Sequence, residues 1–246
     1  MNSSQLYIER CINELSELTN NDSPYTRLVF SKEFKQARNW LIHQFKKLDL
    51  EIRIDAAGNL IGTYKSENPN AKKILIGSHL DTVPSGGRYD GVAGIVSSLL
   101  ILKNFKENKI KLPFDIELYD YLGEELNDWN ISCVGTRGIT GFLDKSLLNR
   151  EDSSGRVLKN EINKVGGDFK KLGKKFTFFK DVIACFELHI EQGVVLEKNQ
   201  IEIGIVKSIP NISRHKISIF GKAGHTGTTL MDNRKDALLI ASIPKL

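Results

Sequence analysis

Apolar residues recur at helical spacing twice near the start of the chain. Leu6, Ile8, Ile12, Leu15 and Leu18 fall near a 3.6-residue period and predict a helix over 4–19. Phe34, Ala37, Leu41, Phe45 and Leu48 make one apolar stripe over 31–48, and Ser31 stands where a hydroxyl can cap that helix. The period then changes to two. Glu51-Ile52-Arg53-Ile54 alternates, the DAAGN sequence has turn composition, and the chain from Leu60 to Tyr64 is extended again, which predicts a hairpin. A short apolar run over 72–79 reads as an interior strand, and 114–121 as another. Between them a helix is expected from Gly91 to Lys103, buried through Val92, Ile95, Val96, Leu99 and Leu100. The polar segment 150–172 is expected to be helical in part. Strands are expected in CFELHIEQG (185–193), over 201–209, and in HKISIF (215–220). A last helix, from about Asp232, contains Ala237, Leu238, Ile240 and Ala241.

Strand, acidic loop, helix, strand, acidic loop is the order in which an open α/β sheet presents a site beyond its strand ends. At 246 residues the chain accommodates one large domain, or one domain and part of another. Its 40% hydrophobic and 26% charged residues fit a globular protein in water. The formal charge of +5 is modest and scattered, so no nucleic-acid partner is expected. Cys11, Cys133 and Cys185 are widely spaced without a CxxC, which predicts no disulfide scaffold and a reducing, cytoplasmic setting. The first residues, MNSSQLYIER, lack the apolar core of a signal peptide, and no uncharged apolar run reaches the roughly 20 residues a membrane helix needs. No membrane partner is expected.

The chemistry concentrates at predicted strand ends. GSHLDTVPSGGRYDGVAG, residues 77–94, sets a histidine and two aspartates directly after Ile74-Leu75-Ile76. Charge beside an apolar strand is costly unless it is paired or binds a metal. Four such patches recur: His79 with Asp81, then Asp90, then Glu124-Glu125, then His189 with Glu191. Imidazole and carboxylate together suit zinc, manganese, cobalt or nickel. Taken singly, each patch has an ordinary reading too. Glu124-Glu125 reads as an exposed acidic turn, Asp90 as an N-cap, Asp81 as a local turn bond, and Glu191 and Gln192 as loop polar groups. The glycines around Arg88 indicate tight backbone passage rather than a phosphate loop, since neither GxGxxG nor GxxxxGK[ST] occurs.

In combination, GSHLDTVPSGGRYDG, GEE, ELHIEQG and GHTGTTLMDNRKDA resemble the M20 family of metal-dependent amidohydrolases and peptidases. ELHIEQG points to its carbamoylase branch of N-carbamoyl-L-amino-acid hydrolases, allantoate amidohydrolases and β-ureidopropionases. The resemblance implies an α/β catalytic domain with an open mixed sheet flanked by helices, over 1–208. The start of a smaller α+β lid and dimerisation domain would follow over 209–246. It makes His79 and His189 ligands of one metal, Asp90 the bridge to a second, and Glu125 a ligand of that second ion. Glu124 becomes the general base, and Asp81 the carboxylate that orients His79. Glu191 and Gln192 fall near substrate, and His225 reaches the substrate of a partner subunit in a homodimer. The implied cofactors are two divalent ions, manganese or zinc first, cobalt or nickel next. The implied substrate is a small ureido compound bearing a carboxylate, with N-carbamoyl-L-amino acids ahead of allantoate.

The pattern departs from the family's at several positions. Leu126 stands where the family has a glycine after the paired glutamates, and Thr226 and Thr229 stand for its alanine and proline. The last metal-binding histidine of the family is expected beyond Leu246. Two further readings therefore stay open: a dipeptidase, which ELHIEQG does not favour, and an inactive metal-binding or interaction protein.

Overall fold

The N-terminal helices form where periodicity and capping coincide. In the computed structural model, which describes residues 2–172, 178–210, 215 and 217–243, α1 spans Ser3–Ser16 and α2 spans Lys32–Lys47. Asn2 and Gln5 close a capping box on α1, each side chain accepting the other's main-chain N–H at 2.9 Å. Ser31 Oγ accepts the Phe34 N–H at 3.1 Å and caps α2, while Phe34, Ala37, Leu41 and Phe45 are buried along its stripe. Ser31→Ala is expected to lower stability by about 1 kcal/mol, read as a lower urea midpoint with an unchanged slope.

The predicted hairpin is present as β1 (Glu51–Ile54) and β2 (Leu60–Tyr64), antiparallel, with Asp55 Oδ1 accepting the N–H groups of Ala57 and Asn59 in the turn. β3 (Lys73–Ser78), α3 (Val92–Glu107) and β4 (Asp115–Asp120) follow. Three short helices come next: α4 (Val134–Thr140), α5 (Lys145–Leu148) and α6 (Leu158–Lys164). β5 (Val182–Phe186) completes a five-stranded open sheet in the order β1-β2-β4-β3-β5. β2 pairs antiparallel with both β1 and β4, whereas β3 pairs parallel with both β4 and β5. The sheet is mixed, as expected.

Helix α3 packs on β3 and β4 and against α1, burying Val92, Ile95, Val96, Leu99 and Leu102. Leu100 is only half-buried, because Leu102 occupies the inward position. Parallel pairing aligns the C-terminal ends of the three strands, with Ser78 opposite Asp120 and Ile76 opposite Phe186. The loops that leave these ends carry the candidate site.

The chain divides into two compact units, Met1–Gln192 and Gly193–Leu246. The second contains α7 (Val195–Lys198), a 3-10 turn at Met231–Asn233 and α8 (Ala237–Ala241). Its last helix starts later than expected, at the point where Asp236 Oδ1 accepts the N–H groups of Leu238 and Leu239. The strands expected over 201–209 and in HKISIF do not form among the described residues; Lys216 lies outside them. Alternation gives a strand its two faces, but a ladder also requires a partner backbone, and no described residue supplies one there. CFELHIEQG is strand only as far as Phe186, and its remainder is loop. No helix among the described residues is long and apolar enough to cross a membrane.

Candidate metal centre

His79 leaves the end of β3 and is buried. Its Nδ1 lies 2.9 Å from the Asp81 main-chain carbonyl, a bond in which Nδ1–H donates, so Nε2 is the nitrogen available to a metal. His189, in the loop after β5, repeats the arrangement, with Nδ1 2.8 Å from the Ile190 carbonyl. Both Nε2 atoms then face carboxylates. His189 Nε2 is 3.0 Å from Asp90 Oδ1, while His79 Nε2 is 3.6 Å from that same oxygen and 3.7 Å from Glu124 Oε2. The rings stack with centroids 5.8 Å apart.

Nε2 atoms aimed at anionic oxygens need positive charge between them, supplied by a proton or by a metal ion. Burial opposes charge on His79, yet without a cation the nearby carboxylates of Asp90, Asp81 and Glu124 outweigh it and hold its pKa up at about 10, so the ion-free ring keeps a proton on Nε2 that a bound cation would displace. His79 Nε2 and Asp90 Oδ1 are also buried without a hydrogen-bond partner among the described residues. Such orphans call for an explanation, and a cation provides one. Two donor groups share His79: His79, Asp90 and His189 form one, and His79, Glu124 and Glu125 the other, each with its atoms within 4.8 Å of one another. Mixed nitrogen and oxygen donors at this spacing fit divalent transition metals.

The supports of these residues differ in part from expectation. The Asp81 carboxylate does not receive the His79 ring proton, for its Oδ1 is 3.8 Å from Nδ1 and the main-chain carbonyl takes that bond. Asp81 instead accepts the Glu124 N–H on Oδ1 at 3.2 Å and the Glu125 N–H on Oδ2 at 3.1 Å. Burial pushes this carboxyl up to about 7, with the His79 charge and the two N–H groups acting against it. Asp81 therefore ties the loop after β3 to the loop after β4.

Asp90 does not cap α3. The N-cap position belongs to Gly91, which makes no side-chain cap bond, and the Asp90 carboxylate is held by Gln192 Nε2 at 2.5 Å. Gly91 has φ +64°, and a β-carbon there would overlap the carbonyl oxygen and ring of His79, so glycine is required for the close approach. Gln192 accordingly contacts a candidate ligand, while Glu191 is exposed beside it.

Glu124 is the more open of the buried site's carboxylates, its side chain 38% exposed against 15% for Asp90. Cys133 was not singled out by the sequence, yet its Sγ lies 3.6 Å from Glu124 Oε1 and its N–H donates to the Glu124 carbonyl at 2.8 Å. The signal lay in the fold rather than in composition, since Cys133 adopts a left-handed φ of 57° just before α4 to make that approach. Leu126, at the family's glycine position, is turned outward and 37% exposed.

In the second unit, His225 Nδ1 accepts the N–H groups of Gly227 and Thr228 at 3.1 and 3.3 Å. Arg234 donates to the carbonyls of Thr226 and Thr229, which fixes the GHTGTT loop.

A mixed sheet whose parallel strand ends gather two histidines and three carboxylates defines an α/β protein with a candidate metal site. The chain belongs to Peptidase family M20/M25/M40, whose sequence pattern matches residues 75–241. It is 35% identical over 237 residues to an N-carbamoyl-L-amino-acid amidohydrolase of Paenarthrobacter aurescens, a match covering 96% of this chain and 58% of that one. It is 33% identical to the allantoate amidohydrolase of Bacillus subtilis (strain 168), over 90% of this chain and 53% of the relative. Among solved structures, a hydantoinase/carbamoylase family amidase from Burkholderia ambifaria matches with a TM-score of 0.71 and 27% identity, over 96% of this chain and 57% of that one. The chain thus spans just over half the length of these relatives.

Proposed function

We propose that the protein hydrolyses the non-peptide C–N bond of a small ureido compound, converting an N-carbamoyl-L-amino acid and water into the amino acid, ammonia and carbon dioxide. The observation that carries this reading is the convergence of two imidazole Nε2 atoms, of His79 and His189, on one buried oxygen of Asp90. In this reading His79, Asp90, Glu125 and His189 hold two divalent ions, manganese or zinc. Such ions polarise a carbonyl oxygen and acidify water. Glu124 supplies the proton relay, since its carboxylate is more open than that of Asp90 and stands next to His79 Nε2. It takes a proton from the attacking water and delivers it to the leaving nitrogen as the C–N bond breaks. Gln192 holds Asp90, and Glu191 faces the polar groups of the substrate. His225 is assigned to substrate contact in the partner of a homodimer.

The likeness to relatives whose names specify carbamoylated amino acids and allantoate supports the ureido class. The test is ammonia release by manganese-loaded protein given N-carbamoyl-L-methionine or allantoate in parallel. Turnover of the carbamoyl amino acid is expected. Turnover of allantoate alone would transfer the assignment to that substrate, and turnover of neither by a protein that holds its metal would sink it.

A further inference from the structure

Leu80 separates His79 from Asp81, and buried charged side chains hold both of its main-chain polar groups. Arg27 Nε donates to the Leu80 carbonyl at 2.6 Å, and the Leu80 N–H donates to Asp120 Oδ1 at 3.0 Å. Each clamp is rooted elsewhere. Arg27 Nη1 also donates to the carbonyls of Leu15 and Leu18 at 3.0 and 2.9 Å, where the chain leaves α1. Asp120 Oδ2 accepts from Arg38 Nε at 2.7 Å, and Arg38 Nη1 donates to the Gly58 carbonyl at 2.7 Å. The Arg27 main chain is laced to the same loop, its N–H donating to Thr82 Oγ1 at 2.8 Å and its carbonyl accepting the Thr82 N–H at 3.1 Å.

None of these groups belongs to the donor set, and all are deeply buried: Arg27 at 4%, Arg38 at 6% and Asp120 at 0% exposure. Burying charge is expensive, and apolar side chains fill a core as well or better, so stability alone gives weak reason for three charges here. Geometry gives a stronger one. The two peptide planes that meet at Leu80, one held at its N–H and the other at its oxygen, cannot rotate without breaking a charge-assisted bond. The two residues that flank Leu80 are the ones whose orientation matters. His79 aims Nε2 at Asp90, and Asp81 holds the N–H groups of Glu124 and Glu125.

Building on the metal-centre reading, we propose that Arg27 and Asp120 are positioning residues of that centre, clamping the Leu80 peptide so that His79 and the Glu124-Glu125 loop stay in register with one another. A fork of guanidinium donors reaches three carbonyls in fixed directions, whereas an ammonium acts as a single flexible point.

The test is Mn2+ binding to the metal-free full chain, followed by calorimetry and by loss of the free-ion paramagnetic resonance signal. Arg27→Lys is expected to weaken Mn2+ binding about 10- to 100-fold, the range for residues that orient ligands. Asp115→Asn is the control: Asp115 is buried and paired with Lys65 at the far end of β4. That variant is expected to melt earlier yet keep its Mn2+ affinity within about twofold, as distant sites act independently. Thr82→Val, isosteric and without the acceptor for the Arg27 N–H, is expected to weaken binding in the same direction, and it answers the question if Arg27→Lys does not fold. Unchanged affinity in the folded variants, beside a wild type that binds, would overturn the clamp alone. An equal loss in Asp115→Asn would overturn it as well, by tracing the effect to global stability. A wild type that binds no Mn2+ would overturn the metal centre and the clamp together.

Discussion

Glu124→Gln lowers turnover by about 10²- to 10⁴-fold, the usual contribution of a positioned general base, while Mn2+ still binds. The substitution keeps the length of the side chain and an oxygen that Cys133 Sγ can approach, so the loop after β4 retains its anchor. What it removes is the capacity to accept a proton. The Asp90, His189 and Glu125 donors are untouched, so metal content is expected to hold. Ammonia release gives kcat, and calorimetric titration gives the metal affinity of the same sample. A variant that kept more than about a tenth of wild-type turnover would remove Glu124 from the proton relay, because a lost base costs more than that.

His79→Ala is the second large effect, and it acts on metal rather than on the proton. His79 is the one residue common to both donor groups. Its loss is expected to weaken binding of both ions by more than about 100-fold, beyond what is typical when only a supporting residue is changed. Metal content after dialysis against Mn2+ measures this directly, and circular dichroism reports whether the fold survives. Retention of a full equivalent of metal at wild-type affinity would show that the remaining side chains bind an ion without His79.

Much of this arrangement was legible in the sequence. α2 could be read because two independent signals agreed, the Ser31 cap and the stripe of Phe34, Ala37, Leu41 and Phe45. The hairpin followed from alternation on both sides of a turn whose Asp55 ties its own backbone. The donor residues at the strand ends were legible as residue types, and the resemblance supplied their roles. Alternation over 201–209 misled because strand geometry needs a partner ladder that a local pattern does not contain. The supports of the site were hidden for a related reason. Arg27 meets Leu80 at a sequence separation of 53, and it does so through a main-chain carbonyl, which no residue type announces. The resemblance makes Asp81 the partner of His79, but the loop turns its main-chain oxygen toward the ring and sends the side chain to the N–H groups of Glu124 and Glu125.

The parallel docking of β5 beside β3 has a consequence for how the site is assembled in time. Asp90 and Gln192, which meet in the finished structure, are 102 residues apart, and β3 and β5 have no tight turn to bring them together. Contacts of such long separation are slow to form, since the chain must close a large loop before they are rewarded. The half of the donor set that contains His189 is therefore expected to be completed late, when β5 attaches to β3. An ion that needs His189 favours the attached state by mass action, worth roughly 2.7 kcal/mol when free ion stands at a hundred times its Kd. Scarcity of metal during synthesis would leave the flank of β3 open for longer, and an open strand flank is where unrelated chains aggregate. Ion supply then governs the yield of folded protein as well as the rate of the reaction.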